Sequence, residues 1–394
     1  MQNVTLDELR VTLHEQTPGV PYWRLSGFYL FYFAVLGIFL PYWSPYLRSI
    51  GFDAEAIGLL SAILAGTKII APNIWGWIAD HRGQRMRIIR IALLLACMSF
   101  SCMLFTTSFV WMALIITVFG FFWNAALPQF EATTFTHLGD SSHAYTGIRI
   151  WGSIGFIVAV VSLGKYLESH ALGQLPEIIL ALLLAIFIVS FTVPERASGP
   201  IHVTDVSLFK VIRQARVIAL LLVVFLMQFS HAPYYIFYSI YLEDHGYSSL
   251  FIGGMWAISV IAEVFIFMLM PRLIMWLGLT RLLLISFAVA CIRWLIIGYF
   301  VDVLPLLIIG QLMHAVTFGI FHATAIQLTH RYFTGRTQGR GQALYSSMSF
   351  GAGLSVGSLM VGFSWSSVGS LASFQGASMA CVVAFLIAWR WIRD

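Results

Sequence analysis

Apolar runs of roughly 20 residues recur along the whole chain, and no other feature constrains its fold as strongly. Each is long enough, as a helix, to cross a hydrocarbon core of about 30 Å. They fall at 25–47, 56–78, 88–106, 109–134, 145–164, 176–193, 217–242, 250–270, 282–300, 303–328, 341–363 and 370–389. A membrane barrel would instead show alternating segments of about 10 residues, and this pattern does not occur. Over 394 residues, 59% are hydrophobic and only 10% charged, too little charge to coat a water-facing globule of this size. The expected class is an all-α membrane protein of twelve transmembrane helices.

The net charge of +5 raises nucleic acid as a partner, and the distribution of the charge argues against it. Of the 22 Lys and Arg, seventeen fall on one side of the predicted spans and two, Arg48 and Lys165, on the other. Three, Lys68, Arg149 and Arg293, lie inside spans. The bias follows the positive-inside rule, places both termini in the cytoplasm and points to a bacterial inner membrane. Residues 1–24 are polar and amphipathic and read as a cytoplasmic tail rather than a cleavable leader. The four cysteines lie in apolar segments without ligand spacing, so neither disulfides nor a metal site is expected.

The longest stretch without a span, 195–216, has six spans before it and six after. A duplicated unit follows: a bundle over 25–194, a cytoplasmic linker over 195–216 and a second bundle over 217–394. Leu208 to Arg216 can lie on the membrane surface, its basic residues facing lipid phosphates. Glycines at 147, 152 and 155, and at 351, 353 and 357, are expected where helices approach closely. Pro41 and Pro45 are expected to break the end of the first span, and Pro72 and Pro128 to interrupt the second and fourth. Short loops leave no room for a soluble catalytic or output domain, and no nucleophile–base pair marks an interface. The chain is therefore not expected to be an enzyme or a sensor, and no cofactor is implied.

Between spans two and three runs Gly76-Trp77-Ile78-Ala79-Asp80-His81-Arg82-Gly83-Gln84-Arg85. Asp80 can pair with the arginines or cap a neighbouring helix, and Gly83 allows the tight turn. This loop resembles the signature of the major facilitator superfamily, glycine–x–x–x–Asp–x–x–Gly–x–Arg. The resemblance implies the major facilitator fold of two six-helix bundles, transport by alternating access, and a gating role for Gly76, Asp80, Gly83 and Arg85. It also implies a monomer. The matching loop between spans eight and nine, from Arg272 to Arg281, lacks the acidic residue.

Charges at membrane depth are expensive and mark pathways or pairs. They are Lys68, Glu131, Arg149, Glu263 and Arg293, with His231, His314 and His322 as uncharged-capable neighbours. Glu131 and Arg149 either face each other across a cavity or sit at the interface as topology charges. Glu263 and Arg293 form either a structural ion pair or part of a transport site. His314 and His322, eight residues apart, share a helix face and suit hydrogen bonding to solute, proton handling or helix ties. Lys68 lies mid-span, where an anionic solute would be attracted. Tyr32 belongs to an aromatic first span, and Tyr234, Tyr235, Phe237 and Tyr238 form a second cluster. Some of these rings are expected to line the cavity and stack on a ring or sugar face.

Two segments, Phe28 to Trp43 and Arg149-Ile150-Trp151-Gly152-Ser153-Ile154-Gly155-Phe156, resemble the lactose permease and phenylpropionate permease-like families. The run His314 to Ala323 is similar to the latter. The resemblance implies that Glu131 and Arg149 bind solute and that Phe156 replaces a stacking tryptophan. It implies further that Glu263, Arg293 and His314 take part in affinity and proton coupling. Thr317 stands where lactose permease has a proton-bearing glutamate, which disfavours lactose and leaves Glu263, then Glu131, to carry the proton. The expected function is proton-coupled uptake of a small organic solute, an aromatic or other organic acid or a sugar. Drug or metabolite efflux and uncoupled uniport are the alternatives.

Overall fold

A computed structural model describes residues 19–139, 141, 144–196 and 208–392. The tail up to residue 18, residues 197–207 of the linker and the Asp80 side chain lie outside the described residues. Twelve helices long and apolar enough to cross a membrane occupy the described chain. They are α1 (Tyr22–Ser49), α2 (Ala54–Ala79), α3 (Arg85–Phe105), α4 (Phe109–Leu138), α5 (Tyr145–Leu167), α6 (Leu172–Ser190), α7 (Ala215–Asp244), α8 (Ser249–Leu277), α9 (Leu279–Tyr299), α10 (Leu304–Tyr332), α11 (Gln338–Ser367) and α12 (Gly369–Trp391). An even number of crossings puts residues 22 and 391 on one face, called here the terminal face.

The packing repeats. α1 packs on α5 and α3 on α4 in the first half, and α7 packs on α11 in the second. The halves meet along α2–α11, α5–α8 and α1–α7. Small residues permit the closest approaches, because lipid offers no hydrophobic drive to push helices together. A Cβ on Gly155 would lie 2.1 Å from the Leu30 carbonyl, and one on Gly353 would lie 2.5 Å from that of Phe225. Gly83 ends the α2 helix with φ 65°, a left-handed turn that glycine adopts without strain. Glu195 caps α3, accepting from the backbone N–H groups of Met86 at 3.2 Å and Arg87 at 3.1 Å. A carboxylate at a helix N-terminus neutralises the positive end of the macrodipole.

The prolines behave differently from expectation. α1 runs unbroken through Pro41 and Pro45, and Pro72 and Pro128 lie within continuous helices. Neighbouring helices re-satisfy the backbone groups that proline frees within a membrane. Among the described residues the π-helical turns lie in the second half. α7, α10 and α11 each contain a π-helical segment, at Pro233–Phe237, Ala315–Ile320 and Ser347–Gly353.

Described contacts join the halves along the α2–α11 seam, as between Asn73 and Ser347 at 3.3 Å, and at the face opposite the termini. At that face Arg48 bonds both Glu243 and Asp244, each at 2.5 Å. The Tyr42 hydroxyl donates to the carbonyls of Val160 and Ser249, while Ser366 donates to Glu55 at 3.1 Å. Gly58 and Gly362 bring α2 and α11 into backbone contact. This face is sealed. Arg48 is about a third exposed, so its bridges contribute about 1 kcal/mol or less. Arg48→Ala should therefore leave folding intact and raise alkylation of a cysteine placed at Ser44 by no more than about fivefold.

Candidate functional site

Four helices of the second half converge on one polar cluster. Arg293 of α9 is fully buried. Its Nε donates to the Gly310 carbonyl at 2.8 Å, and its Nη1 reaches His314 Nδ1 at 2.9 Å and Thr317 Oγ1 at 3.0 Å. Guanidinium nitrogens only donate, so Nδ1 accepts. The hydrogen of a neutral His314 then sits on Nε2, which lies 2.8 Å from Glu263 Oε1 of α8. Arg293 thus fixes the tautomer that presents a proton to the carboxylate. The expected Glu263–Arg293 pair is in fact relayed through His314.

The π-helical turn of α10 starts directly after His314, and such turns recur at functional sites. Phe318, on that turn, stacks between His314 and His322, with ring centroids 5.4 and 5.6 Å away. The two histidines share a face, as their spacing predicts. His322 Nδ1 meets the Tyr345 hydroxyl at 2.8 Å. Behind the cluster, Gln311 accepts from Tyr234 at 2.9 Å and from Ser259 at 2.6 Å, and donates to Tyr238. The Tyr234 ring lies 4.3 Å from the Arg293 guanidinium carbon, a cation–π contact that helps offset the buried charge.

The first half supplies a second charged group. Glu131 of α4 and Arg149 of α5 form no described ion pair. Tyr145 donates to Glu131 at 3.5 Å instead, and Arg149 lies 3.8 Å over the Phe33 ring. Tyr32 stacks on Trp123 at 4.3 Å, their planes 1° apart. Phe156 is buried at the α1–α5 seam, where its backbone meets Gly37.

Between the halves lies a cavity of about 100 Å³ bounded by Phe39, Trp43, Phe119, Trp123, Tyr235 and Lys68. Of the α7 tyrosine cluster, Tyr235 lines it, whereas Tyr234 and Tyr238 serve Gln311. Solute pockets commonly hold about 300–1,000 Å³, so this one must widen to accept an organic molecule. Lys68 makes no described hydrogen bond or ion pair. Its Nζ lies 5.8 Å from the Phe350 ring. A larger cavity of about 860 Å³ opens on the terminal face near Pro21, Arg24 and His137, and none of the mid-span charges lines it.

The sequence identified the charged members of this site. It did not reveal Gln311 as a hub or the three π-helical turns, which lack a hydropathy signature. Ser259 was likewise hidden among ordinary span residues, and Tyr238, noted as one of an aromatic cluster, serves Gln311.

A family model described as the MFS_1 like family matches residues 22–376. The chain is 30% identical over 384 residues to the probable 3-phenylpropionic acid transporter of Escherichia coli strain K12, covering 92% of this chain and 96% of that one. It is 25% identical over 338 residues to the maltose permease of Geobacillus stearothermophilus, with 84% and 85% covered. Among solved structures, a mutant of the nucleoside transporter NupG superposes with a TM-score of 0.85 at 17% identity, covering 94% of this chain and all of that one.

Proposed function

This chain belongs to the MFS_1 like family of secondary transporters, and from that premise we propose that it imports a small organic acid together with protons. The solute carries an aromatic or other apolar body. The setting is the bacterial inner membrane with both termini cytoplasmic, an orientation supported by the excess of Lys and Arg on the terminal face. The sealed opposite face is then the periplasmic one, and import requires it to open and close in alternation.

One observation carries the coupling: Glu263 hydrogen-bonds His314, whose other ring nitrogen is held by Arg293. A carboxylate whose partner can present a proton changes its proton affinity when motion of the helices alters that contact. Glu131, beside Tyr145 and Arg149, is the second candidate for the proton. The aromatic cavity wall supports a flat apolar body. The likeness to a phenylpropionic acid transporter supports an acid.

The test is internal pH in proteoliposomes, recorded as sugars, nucleosides and aromatic acids are added outside without an imposed gradient. An aromatic acid should acidify the lumen at a rate that scales with carrier content above the protein-free control. A sugar or nucleoside acting alone would move the assignment to that class. Flux of labelled acid without any proton movement would replace symport by uniport.

A further inference from the structure

We propose that Lys68, the cation lining the cavity between the halves, is the anchor for the carboxylate of the transported acid. This deepens the organic-acid reading above and rests on it.

The mid-span charges do not balance. Lys68, Arg149 and Arg293 are cations, while Glu131 and Glu263 are the carboxylates. A cation at membrane depth without a counter-charge is costly, so a bound anion is favoured beside it. Arg293 donates to Gly310, His314 and Thr317, Arg149 lies 3.8 Å over the Phe33 ring, and neither arginine lines the cavity between the halves, whereas Lys68 does. Lys68 has only an aromatic face 5.8 Å away, and no described carboxylate lies within 4.0 Å of it.

Its surroundings define the rest of the ligand. Lys68 lines the same cavity as Trp43, Phe119, Trp123 and Tyr235. An acid with a ring and one carboxylate can place the ring among these faces and its charge on the ammonium. An uncharged solute would leave the ammonium without a counter-charge. Lysine also suits the role physically, because its three rotatable donors follow a carboxylate through a conformational change better than a fixed guanidinium fork. Binding and protonation then support each other. The acid stabilises the charged ammonium, and by linkage the ammonium strengthens binding of the acid to the same degree.

The experiment measures binding, not transport, by intrinsic tryptophan fluorescence of the purified full-length carrier, since Trp43 and Trp123 border the cavity. The probes are phenylalkanoates of several chain lengths, each with its uncharged primary amide. Lys68→Gln should weaken binding of the acids roughly 10–100-fold, the loss expected for a charge-assisted contact. Amide binding should change by less than about threefold. Lys68→Arg should recover most of the acid affinity, because charge rather than packing is at stake.

Equal acid binding by wild type and Lys68→Gln overturns the anchor while leaving the organic-acid reading intact. Equal loss of acid and amide assigns Lys68 a structural role and likewise overturns it. Wild-type protein that binds none of the acids overturns the organic-acid reading, and the anchor with it.

Discussion

Glu263→Gln is expected to leave a carrier that still binds and exchanges its solute but no longer accumulates it against a gradient. The amide keeps an oxygen where His314 Nε2, at 2.8 Å, can still donate, so the relay from Arg293 is preserved. What is lost is the negative charge and the ability to take up a proton. A pH difference of one unit stores about 1.4 kcal/mol per proton, enough for roughly tenfold accumulation of a solute moved with one proton. The variant should fall to a ratio of about one under the same gradient, with counterflow of labelled solute retained. The measurement is steady-state accumulation beside exchange in the same vesicles. Accumulation equal to wild type would transfer the proton to Glu131 or another group. Loss of both activities, in protein of unchanged melting temperature, would make Glu263 a binding residue instead.

Bulk at the α2–α11 seam is expected to produce the largest conformational effect. A Cβ on Gly58 would lie 2.6 Å from Gly362 Cα and 2.7 Å from the Ser358 carbonyl. A Cβ on Gly362 would lie 2.9 Å from the Ala54 carbonyl. These obstacles are backbone, which cannot rotate away. Overpacking of this kind costs about 1–3 kcal/mol, and here the cost falls on the closed state alone. Gly58→Val or Gly362→Val should therefore shift the equilibrium roughly 5–150-fold toward opening of that face. Alkylation of a cysteine at Ser44, a cavity-lining position, should rise accordingly while net uptake falls. Unchanged alkylation would mean that this seam does not seal the pathway. The contrast with Arg48→Ala is physical: an exposed ion pair is replaced by water, whereas a backbone contact is not.

Much of the candidate site was legible because membrane charges are rare. Lys68, Glu131, Arg149, Glu263 and Arg293 stand out against apolar neighbours, and the His314–His322 spacing already implied one face. Their pairings were not legible. Glu131 and Arg149 are close in sequence, yet Tyr145 and Phe33 occupy the positions facing them. Gly58 and Gly362 look like ordinary span glycines until α2 and α11 are brought together. The π-helical turns arise where packing rewards an extra residue per turn, and a scan of propensity along one chain does not sense that reward.

The sequence by itself determined the solvent, the helical class, the number of crossings and the charges carried into the membrane. Each of these is a sum over neighbouring residues against the cost of burial in hydrocarbon. The tertiary structure alone decided which of those charges meet, which face of the protein is sealed, and that Lys68 has no carboxylate partner among the described residues. These depend on distances between residues from separate helices, set by the packing of small side chains and backbone that no local pattern encodes.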